Sequence, residues 1–199
     1  MKKALVTVAP GFEEIEAITS IDVLRRADWS VVVGGTMPGI ITASRKTKHL
    51  PDKDISDVLE ETFDVIVLPG GAEGTANLSR DARVKALLER QVEEDRWVAA
   101  ICAAPQLLVW HKLCPERKIT AHPTCRKDIP QDRLIEGPRV VVDGKVITSV
   151  GAGTALEFAL AILYCLEGSE VVQRVAQGLC ARFDPSEIHL VTQKQEAAK

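Results

Sequence analysis

Val98-Ala-Ala-Ile-Cys-Ala-Ala-Pro-Gln-Leu-Leu-Val-Trp110 changes character within a single turn. Val98–Ile101 is a short, wholly apolar run that suits a strand buried on both faces. Ala103–Trp110 then reads as a helix, with Pro105 at a position tolerated only in a first turn. The same passage from buried strand to amphipathic helix recurs on both sides of this segment. Ala4–Ala9 is an apolar run ended by Pro10-Gly11. After it Ile15, Ile18, Ile21 and Val23/Leu24 recur at helical spacing, with Arg25-Arg26 in the last turn.

Trp29–Val33 reads as a strand closed by Gly34-Gly35, and Val65–Leu68 as a strand closed by Pro69-Gly70-Gly71. Asp81–Glu94 is a charged helix with Val84, Leu87, Leu88 and Val92 on one face. Between Thr36 and Thr62 the pattern is weaker, with a short strand near Ile40–Ala43 and a helical turn near Asp57–Leu59. Val140–Asp143 and Lys145–Val150 flank Gly144 as a hairpin, and Thr154–Leu166 and Glu170–Gly178 close the chain as helices. Repeated strand–helix units predict an α/β fold, a three-layer sandwich whose mostly parallel sheet carries helices on both faces.

The 199 residues suit one domain spanning 1–199, with a polar tail from about Gln193. A net charge of −3 gives no support to nucleic-acid binding as the main function. Five cysteines exclude a complete internal disulfide framework and point to a reducing, cytoplasmic setting. The N-terminus lacks a signal h-region, because Glu13, Glu14 and Glu16 follow a short apolar run. Ala155–Leu166 contains Glu157 and falls short of the ~20 residues that span a bilayer. Asn77-Leu-Ser79 matches a glycosylation sequon, which carries no weight without a secretory signal.

In open parallel sheets ligands gather beyond the carboxyl ends of the strands. Cys102 stands at such an end, between small residues that let the backbone turn sharply and present the side chain. Amides of the following helix would then face the sulfur, favour thiolate and lower its pKa. The alternative is a small apolar residue of a core strand. Glu16 lies off the face of Glu14 and in register with Ala17 and Ser20. A carboxyl turned into a dry thiol site is protonated or paired, and if protonated it donates to thiolate. Otherwise Glu16 is one more charge at a helix N-terminus in solvent.

Ala9-Pro-Gly-Phe-Glu-Glu-Ile-Glu16, Ile21-Asp-Val-Leu-Arg-Arg26, Val65-Ile-Val-Leu-Pro-Gly-Gly71, Ala99-Ala-Ile-Cys-Ala-Ala-Pro105, Thr120-Ala-His-Pro123 and Gly151-Ala-Gly-Thr-Ala-Leu-Glu-Phe158 resemble the ThiJ/PfpI superfamily. The nearest branch is that of the Parkinsonism-associated protein deglycase and its bacterial relatives. The blocks fall in the same order over about residues 2–180. The resemblance implies a flavodoxin-like homodimer with Cys102 as reactive cysteine and Glu16 as the carboxyl contacting it. It also implies that backbone N–H groups of Gly71 and Ala103 form an oxyanion pocket. His122 is implied as a histidine beside the cysteine able to move protons. Arg45 and Arg26 match arginines near the site and the dimer contact.

The sequence departs from that pattern in places. The protease-like branch has a histidine directly after the nucleophile, where Ala103 stands here, so no thiol–imidazole pair is supplied locally. Val150 and Ala152 stand where close relatives often carry Arg and Pro, which bears on the pocket rim. Trp110, Cys114 and Cys125 lie in stretches that vary from those relatives.

His111-x-x-Cys114 and His122-x-x-Cys125 have zinc-ligand chemistry but a short connection, and no metal is expected. Gly151-Ala-Gly153-Thr154 has Leu156 where a dinucleotide loop needs a third glycine. Gly71-Ala-Glu-Gly74-Thr75 lacks the lysine of a phosphate loop. Cys165 reads as core; Cys180 is open either way.

Two functions compete. In the first, Cys102 adds to the aldehyde of a methylglyoxal-type dicarbonyl or to an early glycation adduct. Glu16 and His122 shuttle protons and no cofactor is needed, which is glyoxalase/deglycase chemistry protecting against carbonyl and oxidative stress. In the second, Cys102 is oxidised to sulfinate in a redox sensor or a redox-regulated chaperone with client proteins. A cysteine peptidase is the weakest reading. Neither nucleic acid nor membrane is expected as a partner.

Overall fold

The computed structural model describes residues 1–191, so the polar tail expected from Gln193 lies outside the described residues. β1 (Lys3–Val8) leads into α1 (Glu14–Arg26) and returns as β2 (Ser30–Gly35). An excursion follows, carrying the small strands β3 (Ile41–Thr42), β4 (Lys48–His49) and β5 (Lys53–Asp54) and a 3₁₀ turn, Ile55–Val58. The chain re-enters the sheet as β6 (Val65–Leu68) and passes through α2 (Ala72–Arg80) and α3 (Ala82–Glu93). Then come β7 (Trp97–Ile101) and α4 (Pro105–Trp110). β8 (Val140–Asp143), β9 (Val146–Ser149), α5 (Ala155–Glu167), α6 (Ser169–Gly178) and β10 (Ile188–Leu190) complete the order.

Eight strands form one sheet in the order β10-β8-β9-β7-β6-β1-β2-β5, and β3 pairs with β4 apart from it. Every pairing in the large sheet is parallel except β8 with β9. Strands β5-β2-β1-β6-β7 run in the flavodoxin-like order, and the chain turns to opposite sides of β1 for β2 and β6. That reversal opens a crevice beyond the carboxyl ends of β1, β6 and β7. Ala4↔Val65, Val67↔Ala99 and Val98↔Val146 set the register, so Pro10, Pro69 and Cys102 all leave the sheet at the same edge.

Each face of the sheet has its own core. Ile21, Val23 and Leu24 of α1 pack with Phe158, Leu160 and Ile162 of α5 and Val172 of α6 on one side. Leu78 of α2, Val84, Leu87 and Leu88 of α3 and Leu107 and Leu108 of α4 fill the other. Together these are the three layers that the strand–helix alternation predicts. The excursion is tied down by Arg83, which donates to Asp54 at 3.0 Å, Ser56 at 2.7 Å and the Thr36 carbonyl at 2.7 Å.

Two readings need correction. The helical spacing from Ile15 to Leu24 puts the isoleucines on the packed face, but Ile15 is 55% and Ile18 43% exposed. The buried side of α1 is Glu16, Ala17, Ser20, Ile21, Val23 and Leu24, a face rotated away from Ile15 and Ile18. Residues 72–80, which sequence patterning leaves unassigned, form α2. Asn77, the sequon residue, donates its amide to the Pro10 carbonyl at 2.9 Å and so serves packing.

Candidate functional site

Cys102 sits where β7 ends and has φ +65°, a strained value for a residue with a side chain. Its backbone is fixed from both sides. Its N–H donates to the Ser149 carbonyl at 2.9 Å, and its carbonyl accepts from the His122 N–H at 2.8 Å. The sharp turn that small neighbours allow is thus held open by β9 and by the segment carrying His122.

Glu16 reaches this turn from the first turn of α1. It is fully buried, and its Oε2 accepts the Gly70 N–H at 2.7 Å. Its own N–H is capped by Glu13 Oε2 at 2.9 Å. Oε1 has no hydrogen-bond partner of good geometry, and the thiol is the polar group beside it. A buried oxygen left in that state is costly unless something binds there. Gly70 makes the approach of acid and thiol possible. A Cβ there would lie 2.7 Å from the Cys102 Cβ and 2.9 Å from Glu16 Oε2. Gly71 has φ +86°, and a Cβ on it would come within 2.3 Å of the Gly11 carbonyl oxygen. Only glycine therefore lets the Gly71 N–H turn toward the sulfur.

Burial pushes the Glu16 carboxyl up to about 7, against the Gly70 N–H and the thiol, which favour its charge. The Cys102 thiol is a correction to the expected thiolate. Burial and the charge of Glu16 push it up to about 12, while the N–H groups of Gly71 and Ala103 pull the other way. A buried acid and a half-buried thiol in contact resist a second negative charge, so they titrate as one unit. With Glu16 near neutrality, the carboxylate is placed to accept the proton that the thiol must lose to react.

His122 stands at the other side of the thiol. Its Nδ1 accepts the Thr124 N–H at 3.3 Å and lies 2.8 Å from Thr124 Oγ1. That acceptance leaves the ring proton on Nε2 in the neutral imidazole. Glu16, Cys102, His122, Gly71 and Ala103 are therefore assembled around one point, although they come from four segments. The two arginines are not. Arg26 is at the far end of α1, paired with Asp22 at 2.7 Å. Arg45 is exposed, its backbone N–H held by Glu14 at 2.9 Å.

Sequence reasoning placed Val150 and Ala152 at the pocket rim through the family resemblance but missed that Ser149, Gly151 and Thr154 build the wall of the site. Ser149 Oγ lies 2.6 Å from Thr154 Oγ1, and Thr154 Oγ1 accepts the Gly151 N–H at 3.1 Å. A threonine just before a helix, following two glycines, was the available signal.

The remaining cysteines lie apart. Cys165 packs against the core beside α6, and burial pushes its thiol up to about 11. Cys114 and Cys125 are half-buried, and Cys180 is exposed at the end of α6. Among the described residues no three His, Cys, Asp or Glu side chains are grouped to hold a metal ion. No helix among them is long and apolar enough to cross a membrane.

Comparison with known proteins shows what the chain is similar to. The model of the DJ-1/PfpI family matches residues 2–164. Protein dj-1beta of Drosophila melanogaster is 41% identical over 185 residues, covering 92% of this chain and 99% of that protein. The glutathione-independent glyoxalase DJR-1.2 of Caenorhabditis elegans is 37% identical over 186 residues, covering 90% and 96%. The structure of oxidized Toxoplasma gondii DJ-1 superposes with a TM-score of 0.89 at 39% identity, covering 91% of this chain and 99% of that one.

Proposed function

The chain belongs to the DJ-1/PfpI family, and from that membership we propose that it is a cofactor-independent glyoxalase/deglycase using Cys102 against reactive dicarbonyls or early glycation adducts. The observation that carries this reading is the buried Glu16 carboxyl, poised near 7 beside the thiol with Oε1 unpartnered. A resemblance to a glyoxalase in Caenorhabditis elegans supports the substrate class.

The chemistry runs as follows for methylglyoxal. The sulfur bonds to the aldehyde carbon, its proton passes to the Glu16 carboxylate, and the carbonyl π electrons move to oxygen. The N–H groups of Gly71 and Ala103 take up that oxyanion, and the proton on Glu16 then neutralises it as a hemithioacetal. His122 moves the C1 proton to C2 by way of an enediol, giving a thioester of the hydroxy acid. Water cleaves the thioester, releasing lactate and restoring the thiol. Oxidation at one carbon balances reduction at the next, so no external redox partner enters.

Cys102→Ser tests the reading through methylglyoxal consumption and lactate release. Wild type turns over, and the variant falls by about a thousandfold or more. Equal rates in the two proteins would refute it.

The same unpartnered Oε1 favours a second reading, a redox sensor. Two equivalents of peroxide would carry the thiol through sulfenate to sulfinate, each releasing water, and protonated Glu16 would donate to a sulfinate oxygen. Selective sulfinate at Cys102 that is lost in Glu16→Ala supports it.

A cytoplasmic homodimer belongs to the same proposal. Five free thiols suit a reducing compartment. Ile15 and Ile18 form an exposed apolar strip on α1 that a second copy would cover. Ile18→Glu is expected to convert the dimer to monomer in sedimentation experiments.

A further inference from the structure

We infer that Gly151 is the specificity-determining residue of the Cys102 site, its missing side chain leaving the slot that admits the second carbonyl arm of the substrate. A Cβ built on Gly151 would lie 3.3 Å from His122 Cδ2 and 4.0 Å from Cys102 Sγ, with no other heavy atom among its near contacts. The space above the thiol on this side is thus bounded by an imidazole edge, a sulfur and a bare Cα. Backbone strain does not demand glycine here, because φ 164° and ψ −173° are extended values open to any residue. What a side chain would take away is room between the nucleophile and the proton-moving group.

The slot has a fixed width because its wall is pinned to the nucleophile. Thr154 Oγ1 accepts the Gly151 N–H at 3.1 Å and lies 2.8 Å from the Gly151 carbonyl. Ser149 Oγ, 2.6 Å from Thr154 Oγ1, donates to the Arg139 carbonyl at 2.8 Å, and the Ser149 carbonyl holds the Cys102 N–H. Arg139 in turn donates to the Gly153 carbonyl at 2.7 Å. A wall tied at both ends does not retreat to admit a larger arm, so the substrate's second carbon must be slim on this side. Gly153, two residues on, offers a control, since a Cβ there meets nothing within 4 Å.

The inference rests on the dicarbonyl reading for the identity of the occupant, but the slot itself is measurable without it. Cys102 is alkylated with iodoacetamide and with its N-benzyl analogue, which share a leaving group and differ in width, and modification is followed by mass spectrometry of the Cys102 peptide. Gly151→Ala is expected to lower the ratio of benzyl to parent rate about tenfold, the scale of one methyl group in a tight pocket. Gly153→Ala leaves the ratio as in wild type. His122→Ala widens the slot from the opposite wall and raises the ratio, which tests the slot even should Gly151→Ala fail to fold.

With dicarbonyls, Gly151→Ala loses about tenfold more kcat/KM on phenylglyoxal than on glyoxal. Should wild type turn over no dicarbonyl, the glyoxalase reading fails while the alkylation ratio still judges the slot. A ratio within about twofold of wild type in Gly151→Ala, or one unmoved in His122→Ala, overturns the inference.

Discussion

At the amino ends of β1, β6, β7 and β9 a cavity of about 430 Å³ opens among Lys2, Phe63, Asp64, Asp95, Trp97 and Lys145. At the opposite ends of the same sheet stand Glu16, Cys102 and His122. The first region has space, and its charges are answered: Lys2 pairs with Asp64 at 3.2 Å, Arg96 with Glu94 at 3.1 Å, and Lys145 with Asp95. The second region has a carboxyl oxygen without a partner, on a fully buried acid set against the half-buried Cys102 thiol. Paired surface charges contribute little and ask for nothing. Unsatisfied burial is a cost that a fold retains where chemistry uses it. The contrast distinguishes the candidate site by an unpaired buried acid beside a thiol rather than by volume.

The largest break in that contrast would come from Glu16→Gln. If the carboxylate takes the thiol proton, Cys102 alkylation in wild type rises with pH through about 7, the value of Glu16. In the variant the base is gone, and the midpoint moves above the ordinary thiol value of 9.0 because burial remains. The rate at neutral pH is expected to drop by about a hundredfold or more. A variant that reacts as fast as wild type with an unmoved midpoint would show that the thiol ionises without Glu16.

Gly71→Ala attacks the geometry that brings the amides to the sulfur. Its positive φ and the 2.3 Å approach to the Gly11 carbonyl act together. A loss of about 3–4 kcal/mol in chemical denaturation is expected from left-handed strain plus overpacking. Unchanged stability would mean that the 69–74 turn relaxes freely and does not hold the oxyanion pocket.

How much of this contrast was legible in the chain depends on range. Val65–Leu68 was readable residue for residue, since a strand buried on both faces has no polar position to blur it. The Gly71-Ala-Glu-Gly74 start of α2 was not, because Gly74 opposes helix locally. It is kept because a Cβ there would lie 2.5 Å from the Phe12 Cα, a contact invisible in sequence. Ile15 and Ile18 misled for the converse reason: spacing shows which residues share a face but not what that face meets. Cys102 could be singled out from its small neighbours alone. Glu16 stayed ambiguous from local sequence, since a helix N-terminus explains an acid in solvent equally well, and only the Gly70 N–H fifty-four residues away decides it.

A thermodynamic version of the same comparison follows from linkage. Glu16 titrates at 4.5 when exposed and at about 7 in the folded protein. Between those values the folded state holds a proton that the unfolded state has released, so stability falls as pH rises through that window and levels off above it. The fall amounts to roughly 3 kcal/mol. Denaturation of wild type at pH 5 and pH 8 should show that decline, and Glu16→Gln should lack most of it. Equal slopes in both proteins would mean that the carboxyl is better solvated than its burial indicates.

The smallest effect belongs to the other end of the sheet. Asp95 is largely exposed, and its pairing with Lys145 crosses the mouth of the large cavity. Asp95→Ala removes one screened ion pair, which contributes about 0.5 kcal/mol or less, and leaves Lys145 its bond to the residue 95 carbonyl. Cys102 alkylation should keep both its rate and its midpoint near 7, because the change sits at the far ends of the strands. A shift in that midpoint would show that the two ends are electrostatically coupled through the sheet, and the division between a paired end and a reactive end would have to be abandoned.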